Sequence, residues 1–235
     1  MKVFVLGHKG MLGHMVVKYL ESKGVDIITT LKRFPNLDSG MFAQTDYIVN
    51  CIGAIPQRTN DFSINYELPE WLSKLDAKVI HPGTDCEMDD DAYGLSKRKA
   101  SEYIIRNTTN TKILKTSIIG PELSSKASLL GWFLSQEGPI NGYTEALWNG
   151  NTTLQWAKQC LHMIDNWDKY KQLTILEGQC ISKYEMLLMF KSLFGKNNTI
   201  IPHKLGKNKC LKGDIYTPSL KQQLNELKEF YYGDN

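Results

Sequence analysis

The sequence predicts an α/β fold, a doubly wound parallel sheet with a smaller C-terminal lobe. Short apolar runs alternate with amphipathic segments from residue 1 to about 120, and several runs end at glycine or proline. Such alternation is typical of parallel strands joined by crossover helices that cover both faces of the sheet. The pattern loosens after Pro121. We therefore expect residues 1–120 to form the sheet domain and residues 121–235 to supply mainly the smaller lobe, interleaved as one structural unit.

Apolar periodicity gives the individual elements in chain order. Strands are predicted over residues 3–6, 25–30, 47–52, 78–81, 112–119 and 173–176. Helices are predicted over residues 11–20, 62–75, 92–106, 127–136, 152–166 and 182–194. Residues 31–44 contain Pro35 and Gly40 and leave little room for a full third strand–helix unit. Pro82 and Gly83 are expected to stop the strand at residue 81.

Composition excludes several classes of protein. The 235 residues are 42% hydrophobic, enough for a proper core, and the net charge of +3 lacks the concentration of a nucleic-acid-binding face. We see no apolar run of about 18 residues, so we expect no membrane span. Five scattered cysteines without C-x-x-C spacing indicate neither a metal site nor a disulfide framework. Their odd number and the absence of a signal peptide favour a reducing cytoplasm.

A glycine-rich loop joins the first predicted strand to the first helix. Residues 7–13 have the spacing G-x-x-G-x-x-G. Gly7 can make the tight turn, Gly10 lets the backbone approach a pyrophosphate, and Gly13 lets the helix pack closely on the sheet. The helix N-terminus adds free N–H groups and a positive dipole. The loop therefore predicts a dinucleotide site of the Rossmann type.

Cofactor preference depends on the residues that follow the second strand. An acidic residue there favours NAD, whereas a basic residue accommodates the 2′-phosphate of NADP. Here Lys32 and Arg33 follow the strand, and no acid does. We therefore expect NADP(H), with NAD(H) as the alternative.

Residues 93–97 have the pattern Y-x-x-x-K at the start of a predicted helix. Positions i and i+4 share a helix face, so the Lys97 ammonium can lie beside the Tyr93 phenol and lower its pKa. Such a phenol can exchange a proton with a substrate oxygen. Thr84 ends the preceding strand at the sheet edge where ligands bind in these folds, and its hydroxyl can hold that oxygen. These three residues are the predicted catalytic set.

Together these motifs resemble the extended short-chain dehydrogenase/reductases and, more narrowly, the dTDP-4-dehydrorhamnose reductase family. The resemblance covers nearly the whole chain. It is carried by LGHKGMLGH (6–14), DYIVNCIGAIPQ (46–57), HPGTDC (81–86), YGLSKRKASE (93–102), KTSIIGPEL (115–123), GYTEALWNGNTTLQWAK (142–158) and DIYTPSLKQQL (214–224). It implies that the chain binds NADPH and reduces a 4-keto sugar on a nucleoside diphosphate.

The resemblance also implies roles for individual positions. Thr84, Tyr93 and Lys97 correspond to the catalytic residues of the family, and Asn65 falls where many extended members keep an asparagine beside the site. The implied cofactor contacts are Gly7, Lys9, Gly10, Met11 and Leu12 at the pyrophosphate, Cys51, Ile52 and Gly53 after the third strand of the chain, and Thr116, Ser117 and Ile118 at the nicotinamide.

Two departures from the family pattern concern the activity. Relatives that dehydrate nucleotide sugars carry Thr-Asp-Glu where this chain has Cys86 in the third position, and Glu87 comes one residue late. This disfavours a dehydratase and leaves reduction or epimerisation. The family normally has a long loop between Thr84 and Tyr93, whereas here it has eight residues. We therefore expect a substrate pocket that is built differently or is more open.

Aromatic residues lie near amide side chains in the second half. Trp132, Tyr143 and Trp148 can stack on a nucleobase, and Asn141 can bond sugar hydroxyls. A place in the core is the alternative for any single aromatic residue.

A basic stretch lies near the C-terminus, with lysines at positions 204, 207, 209 and 212. Lys212 is the candidate for the substrate diphosphate, and a solvated loop is the alternative.

The sequence thus predicts an NADPH-dependent reductase of a nucleoside-diphosphate 4-keto-6-deoxyhexose. A nucleotide-sugar epimerase with bound NAD(P) stays open. So does a non-catalytic NADP-binding regulatory subunit, because of the short loop. A homodimer is common in this fold, but the sequence indicates no interface.

Overall fold

The computed structural model describes residues 1–233. Its strands are β1 (Lys2–Leu6), β2 (Asp26–Thr29), β3 (Tyr47–Asn50), β4 (Lys78–Gly83), β5 (Thr111–Lys115), β6 (Ile118–Ile119), β7 (Ile140–Tyr143), β8 (Leu147–Trp148), β9 (Asn151–Thr152), β10 (Leu173–Glu177), β11 (Ile181–Ser182), β12 (Ile200–His203) and β13 (Ile215–Tyr216). Its α-helices are α1 (Met11–Ser22), α2 (Ile64–Leu72), α3 (Ala92–Asn107), α4 (Leu129–Ser135), α5 (Thr153–Asp165), α6 (Lys183–Phe194) and α7 (Leu220–Tyr232). Short 3-10 helices cover Ser39–Phe42, Asp85–Met88 and Trp167–Lys169.

Seven strands form one parallel sheet in the order β13-β10-β5-β4-β3-β1-β2. The chain begins in the interior strand β1, moves outward to β2, and then crosses back to β3 and the strands beyond it. The order therefore reverses between β1 and β3, and ligands bind at the carboxyl ends of strands at such a point. This sheet confirms the predicted α/β fold class.

Both faces of the sheet are covered, as the side chains of β1 show. Val3 and Val5 belong to one core cluster with α1, α5 and α7, whereas Phe4 and Leu6 belong to a second cluster with α2. Successive strand residues point to opposite faces, so an uninterrupted apolar strand requires helices on both sides. This is why β1 appears in the sequence as a continuous apolar run.

The fourth strand runs further than predicted, through Pro82 and Gly83. β3 pairs with β4 only as far as Ile80, whereas β5 continues beside β4 to Gly83. The Gly83 carbonyl accepts from Thr116 N–H on the β5 side, so the backbone of Pro82 faces the side without a partner strand. Proline is tolerated there because no ladder hydrogen bond is lost.

The second half contributes to the sheet as well as to the lobe. β10 pairs with β5, and β13 pairs with β10, at one edge of the sheet. The lobe holds the short pairs β7–β12 and β8–β11, with α6 packed on β7. The division at residue 120 stays a prediction. Across residues 1–233, no helix has both the length and the apolar character needed to cross a membrane.

Cys180 and Cys210 form a disulfide, which the sequence analysis did not expect. Their 30-residue separation matches no recognisable spacing. Tertiary contacts bring them together, because β11 pairs with β8 while Leu211 bonds Asn149, just beyond β8. The remaining cysteines, Cys51, Cys86 and Cys160, are free.

Candidate functional site

The glycine loop lies at the point where the sheet order reverses. Gly7 has a φ of +76°, and a Cβ there would lie 2.8 Å from the Cys51 carbonyl oxygen. A Cβ on Gly13 would lie 2.1 Å from the Gly7 carbonyl oxygen. Gly10 caps α1 without a side chain that could accept from its first N–H groups. The loop therefore offers a close approach and free donors to an anionic group, which fits the pyrophosphate of a dinucleotide.

Three exposed basic residues lie in this loop or just after the neighbouring strand β2. Lys9 is exposed within it, and Lys32 and Arg33 are exposed just after β2. The ion pairs found within residues 1–233 involve none of the three. Free cations beside the end of β2 are compatible with the extra phosphate of NADP.

Thr84 lies between β4 and the 3-10 helix 85–88. Its hydroxyl donates to Asp85 Oδ1 at 3.0 Å, and its N–H donates to Glu87 Oε1 at 2.9 Å. The second oxygen of Glu87 accepts from Lys115 Nζ at 2.8 Å. The Glu87 carboxylate is thus used by a capping box and a buried ion pair, both of which hold Thr84 in place.

Lys97 lies on α3, and its buried side chain reaches the end of β4. Its Nζ donates to the Pro82 carbonyl oxygen at 3.0 Å and lies 3.4 Å from His81 Nε2. Burial lowers the pKa of Lys97 to about 8, and the nearby Glu87 and Cys86 act in the opposite direction. Because Pro82 has no strand on that side, its carbonyl is free to accept this bond.

Tyr93 lies one turn before Lys97 on α3, with its ring edge-on to Phe62 at 5.7 Å between centroids. Burial raises the pKa of Tyr93, and the nearby Cys86 and Asp85 raise it further. The sequence led us to expect that Lys97 lowers the pKa of Tyr93, and this effect is not seen. The side-chain nitrogen of Lys97 is turned towards the Pro82 carbonyl instead.

Asn65 is buried on α2 and has three hydrogen bonds. Its Oδ1 accepts from Ala54 N–H at 2.7 Å, and its Nδ2 donates to the Ala54 carbonyl and to Ser96 Oγ, each at 3.0 Å. These bonds tie the segment after β3 to α3, next to Lys97. Direct contact between Asn65 and the substrate stays a prediction.

The segment after β5 is fixed from the lobe side. Thr116 Oγ1 accepts from Asn151 Nδ2 at 2.9 Å and donates to the Ser117 carbonyl at 3.2 Å. Ser117 and Ile118 face a cavity, so two of the three residues expected at the nicotinamide border open space.

That cavity has a volume of about 450 Å³ and lies between the sheet edge and the lobe. Its lining includes Asp85, Cys86, Ser117, Ile118, Tyr143, Trp148, Lys183, Lys207 and Lys209. Thr84, Tyr93 and Lys97 lie beside it rather than in its lining, within the part of the chain that the structure describes. The cavity meets them through Asp85 and Cys86.

The predicted substrate residues divide into two groups. Tyr143 and Trp148 line the cavity, with Trp148 mostly buried and Tyr143 exposed. Trp132, Asn141 and Lys212 are exposed and do not line it.

Three lysines that the sequence did not single out line the cavity. Lys207 and Lys209 belong to the basic stretch in which Lys212 was chosen. Lys183 begins α6 directly after its cap Ser182, and its only sequence signal was that helix start.

The short loop after Thr84 is joined to the lobe. Lys209 Nζ pairs with the Asp89 carboxylate and lies 4.0 Å from Cys86 Sγ. Cys210, the next residue, is tied to Cys180. A segment of the lobe therefore closes the pocket wall where the loop between Thr84 and Tyr93 is short.

Three solved structures show how widely this fold is shared. A dTDP-4-dehydrorhamnose reductase from Clostridium acetobutylicum has a TM-score of 0.75 at 17% identity, covering 99% of this chain and 100% of that one. GDP-mannoheptose C4 reductase from Campylobacter jejuni, with NADP bound, has a TM-score of 0.72 at 14% identity and 98% coverage of both chains. MoeE5, in complex with UDP-glucose and NAD, has a TM-score of 0.73 at 13% identity, covering 100% of this chain and 99% of that one.

No protein-family model and no curated protein matches the chain by sequence. The structural likeness extends over the whole length of these proteins. The chain therefore has the fold of the nucleotide-sugar reductases that its motifs resemble.

Proposed function

We propose that this chain is an NADPH-dependent reductase of a nucleoside-diphosphate 4-keto-6-deoxyhexose. One observation carries the proposal: the cavity meets the sheet edge of Thr84, Tyr93 and Lys97 through Asp85 and Cys86, and its far wall has three lysines and an exposed tyrosine. A keto sugar at one end and a nucleoside diphosphate at the other match this distribution of groups.

The glycine loop and the free cations near it support a dinucleotide cofactor with a 2′-phosphate. Bound NADPH supplies a hydride to the carbonyl carbon of such a substrate. Neighbours of the same fold have NADP or NAD bound, so NAD(H) is the alternative.

Tyr93 is the proposed proton donor to the carbonyl oxygen. Its raised pKa keeps the phenol protonated, as a general acid requires. The Thr84 hydroxyl has a single proton, which Asp85 accepts in this structure. A substrate oxygen would compete for that proton and so be oriented towards Tyr93.

Lys183 and Lys207 are the proposed contacts for the substrate diphosphate. Neither has an ion-pair partner within residues 1–233, whereas Lys209 is engaged by Asp89. Tyr143 offers an exposed ring for a nucleobase, and the buried Trp148 supports the wall beneath it. A homodimer and a cytoplasmic location belong to this proposal as further expectations, although the Cys180–Cys210 disulfide is unusual for a reducing cytoplasm.

The test is NADPH oxidation with a panel of dTDP-, UDP- and GDP-linked 4-keto-6-deoxyhexoses. Turnover of one substrate supports the reductase and names its nucleotide. If NADPH binds by fluorescence but no substrate is turned over, the reductase is wrong. Activity on a nucleotide sugar without added cofactor would then identify an epimerase, and complete silence would identify a binding role.

A further inference from the structure

A chain of polar groups runs through the core behind Lys97. Asn50 ends β3, His81 lies on β4 and Lys97 on α3, and their exposed fractions are 0%, 1% and 6%. Asn50 Nδ2 lies 3.2 Å from His81 Nδ1, and His81 Nε2 lies 3.4 Å from Lys97 Nζ. Buried polar groups are costly unless each donor meets an acceptor. The direction of these bonds therefore has consequences for Lys97.

The backbone sets that direction. Asn50 Oδ1 accepts from Ile52 N–H at 3.0 Å, so the amide nitrogen of Asn50 is the atom that faces His81. His81 Nδ1 must then accept, and a neutral imidazole that accepts at Nδ1 has its proton on Nε2. The Nε2–H group points at Lys97 Nζ. Only an uncharged amine has a lone pair to accept it, while the amine hydrogens can still donate to the Pro82 carbonyl.

The charges around Lys97 do not reverse this preference. Burial keeps His81 neutral by holding its pKa well below the usual value, and the Lys97 ammonium acts in the same direction. Glu87 and Cys86, on the 3-10 helix, favour the charged form of Lys97. The Glu87 carboxylate is itself paired with Lys115 of β5 at 2.8 Å, which weakens its effect.

We propose that Asn50 and His81 are positioning residues that present an N–H donor to Lys97, favour its uncharged form, and so let Lys97 exchange a proton near neutral pH. Lys97 then acts as a proton source rather than as a fixed charge. The catalytic consequence rests on the proposed function. The Tyr93 O–H bond breaks and its proton moves to the substrate oxygen. Because Lys97 is turned towards Pro82, the return of a proton runs through water: the Lys97 ammonium gives a proton to water, and the phenolate takes one from water. The resulting amine accepts from His81 Nε2–H until water returns a proton to it.

The first test needs no ligand and no substitution. Nitrogen-15 NMR of the histidine rings distinguishes a protonated ring nitrogen from one with a lone pair. We expect His81 to have its proton on Nε2 from pH 6 to pH 9. A proton on Nδ1, or a doubly protonated ring at neutral pH, overturns the proposal.

The second test measures the proton on Lys97 directly. In protein labelled with carbon-13 at lysine Cε, with Lys97→Arg to assign the signal, we expect Lys97 to titrate near pH 8.

Two variants test the role of the donor. Asn50→Asp keeps the acceptor for Ile52 and turns the His81 proton to Nδ1, so His81 Nε2 accepts from the Lys97 ammonium. His81→Gln adds no charge and can present an amide oxygen. Both variants should raise the midpoint by about one pH unit or more, a tenfold change in proton affinity.

Thr111→Val is the matched control, because Thr111 is fully buried on β5 and lies outside this chain of groups. Its Lys97 midpoint should not move. A Lys97 that titrates at the usual lysine pH in the unsubstituted protein, or that does not shift in a folded variant, refutes the inference. If a variant fails to fold, the ring tautomer and the unsubstituted titration decide. Neither measurement uses a substrate. A protein that is inactive but has these midpoints would therefore contradict the proposed reductase function without contradicting this inference.

Discussion

The two sides of the cavity differ in how firmly their polar groups are held. On the sheet side, Glu87, Asn65 and Lys97 lie behind the lining; they are buried, and each has two or more hydrogen bonds within the protein. On the lobe side, residues 201–208 are exposed throughout. β12 pairs there only with β7, within the described residues. One wall fixes its groups before any ligand arrives, and the other presents cations on an exposed segment.

This difference suggests a division of labour. Reaction chemistry requires groups held to a fraction of an ångström, which the buried wall provides. Recognition of a diphosphate tolerates movement, because lysine binds phosphate as a flexible point charge. We therefore expect substitutions on the sheet wall to change kcat and substitutions on the lobe wall to change KM.

The largest effect is expected at Tyr93. Tyr93→Phe removes the proton donor while keeping the ring against Phe62, so turnover should fall by about 10²–10⁴-fold. NADPH affinity, measured by fluorescence, should stay within about twofold, a change in binding free energy of under 0.5 kcal/mol. Steady-state kinetics on the substrate found in the panel gives the comparison. Unchanged turnover in this variant would remove Tyr93 from the mechanism.

The sheet wall is also the part that the sequence predicts well. The glycine spacing at 7–13 and the Y-x-x-x-K spacing at 93–97 are local patterns, each tied to a strand end or a helix start. Parallel strands bring their carboxyl ends to one edge, so alternation alone places Thr84 near the glycine loop. Fold and edge follow from short-range information.

The lobe wall depends on contacts that no local pattern records. Lys183 faces the cavity because β11 pairs with β8, and Lys209 does so because its N–H bonds Leu147. Lys212 lies three residues further along the same stretch and is exposed outside the cavity. The partnership of His81 with Lys97 likewise joins a strand to a helix and has no spacing signature.

A pair of lysine variants sharpens this contrast. Lys207→Ala removes a cation from the cavity wall, so the KM for the nucleotide sugar should rise about tenfold, or about 1.4 kcal/mol, with kcat nearly unchanged. Lys212→Ala changes the net charge equally but lies outside the cavity, and its KM should not move. The KM difference should shrink as salt is added. An equal rise in both variants would mean that general charge, not the cavity, attracts the substrate.

The smallest effect is expected at the disulfide, which fixes the exposed wall at one end. Alkylation of the unfolded protein should block three thiols without reduction and all five after it. Five blocked thiols without reduction would show that the disulfide is absent, and would support the reducing compartment that the sequence favours. Replacing Cys180 and Cys210 by serine frees residues next to Lys209, but the bonds from Asn149 to Leu211 remain. Only part of the wall is therefore loosened. KM should rise about threefold, or about 0.65 kcal/mol, while kcat stays the same. A fall in kcat instead would show that the lobe holds the sheet wall in place and that the two walls are not independent.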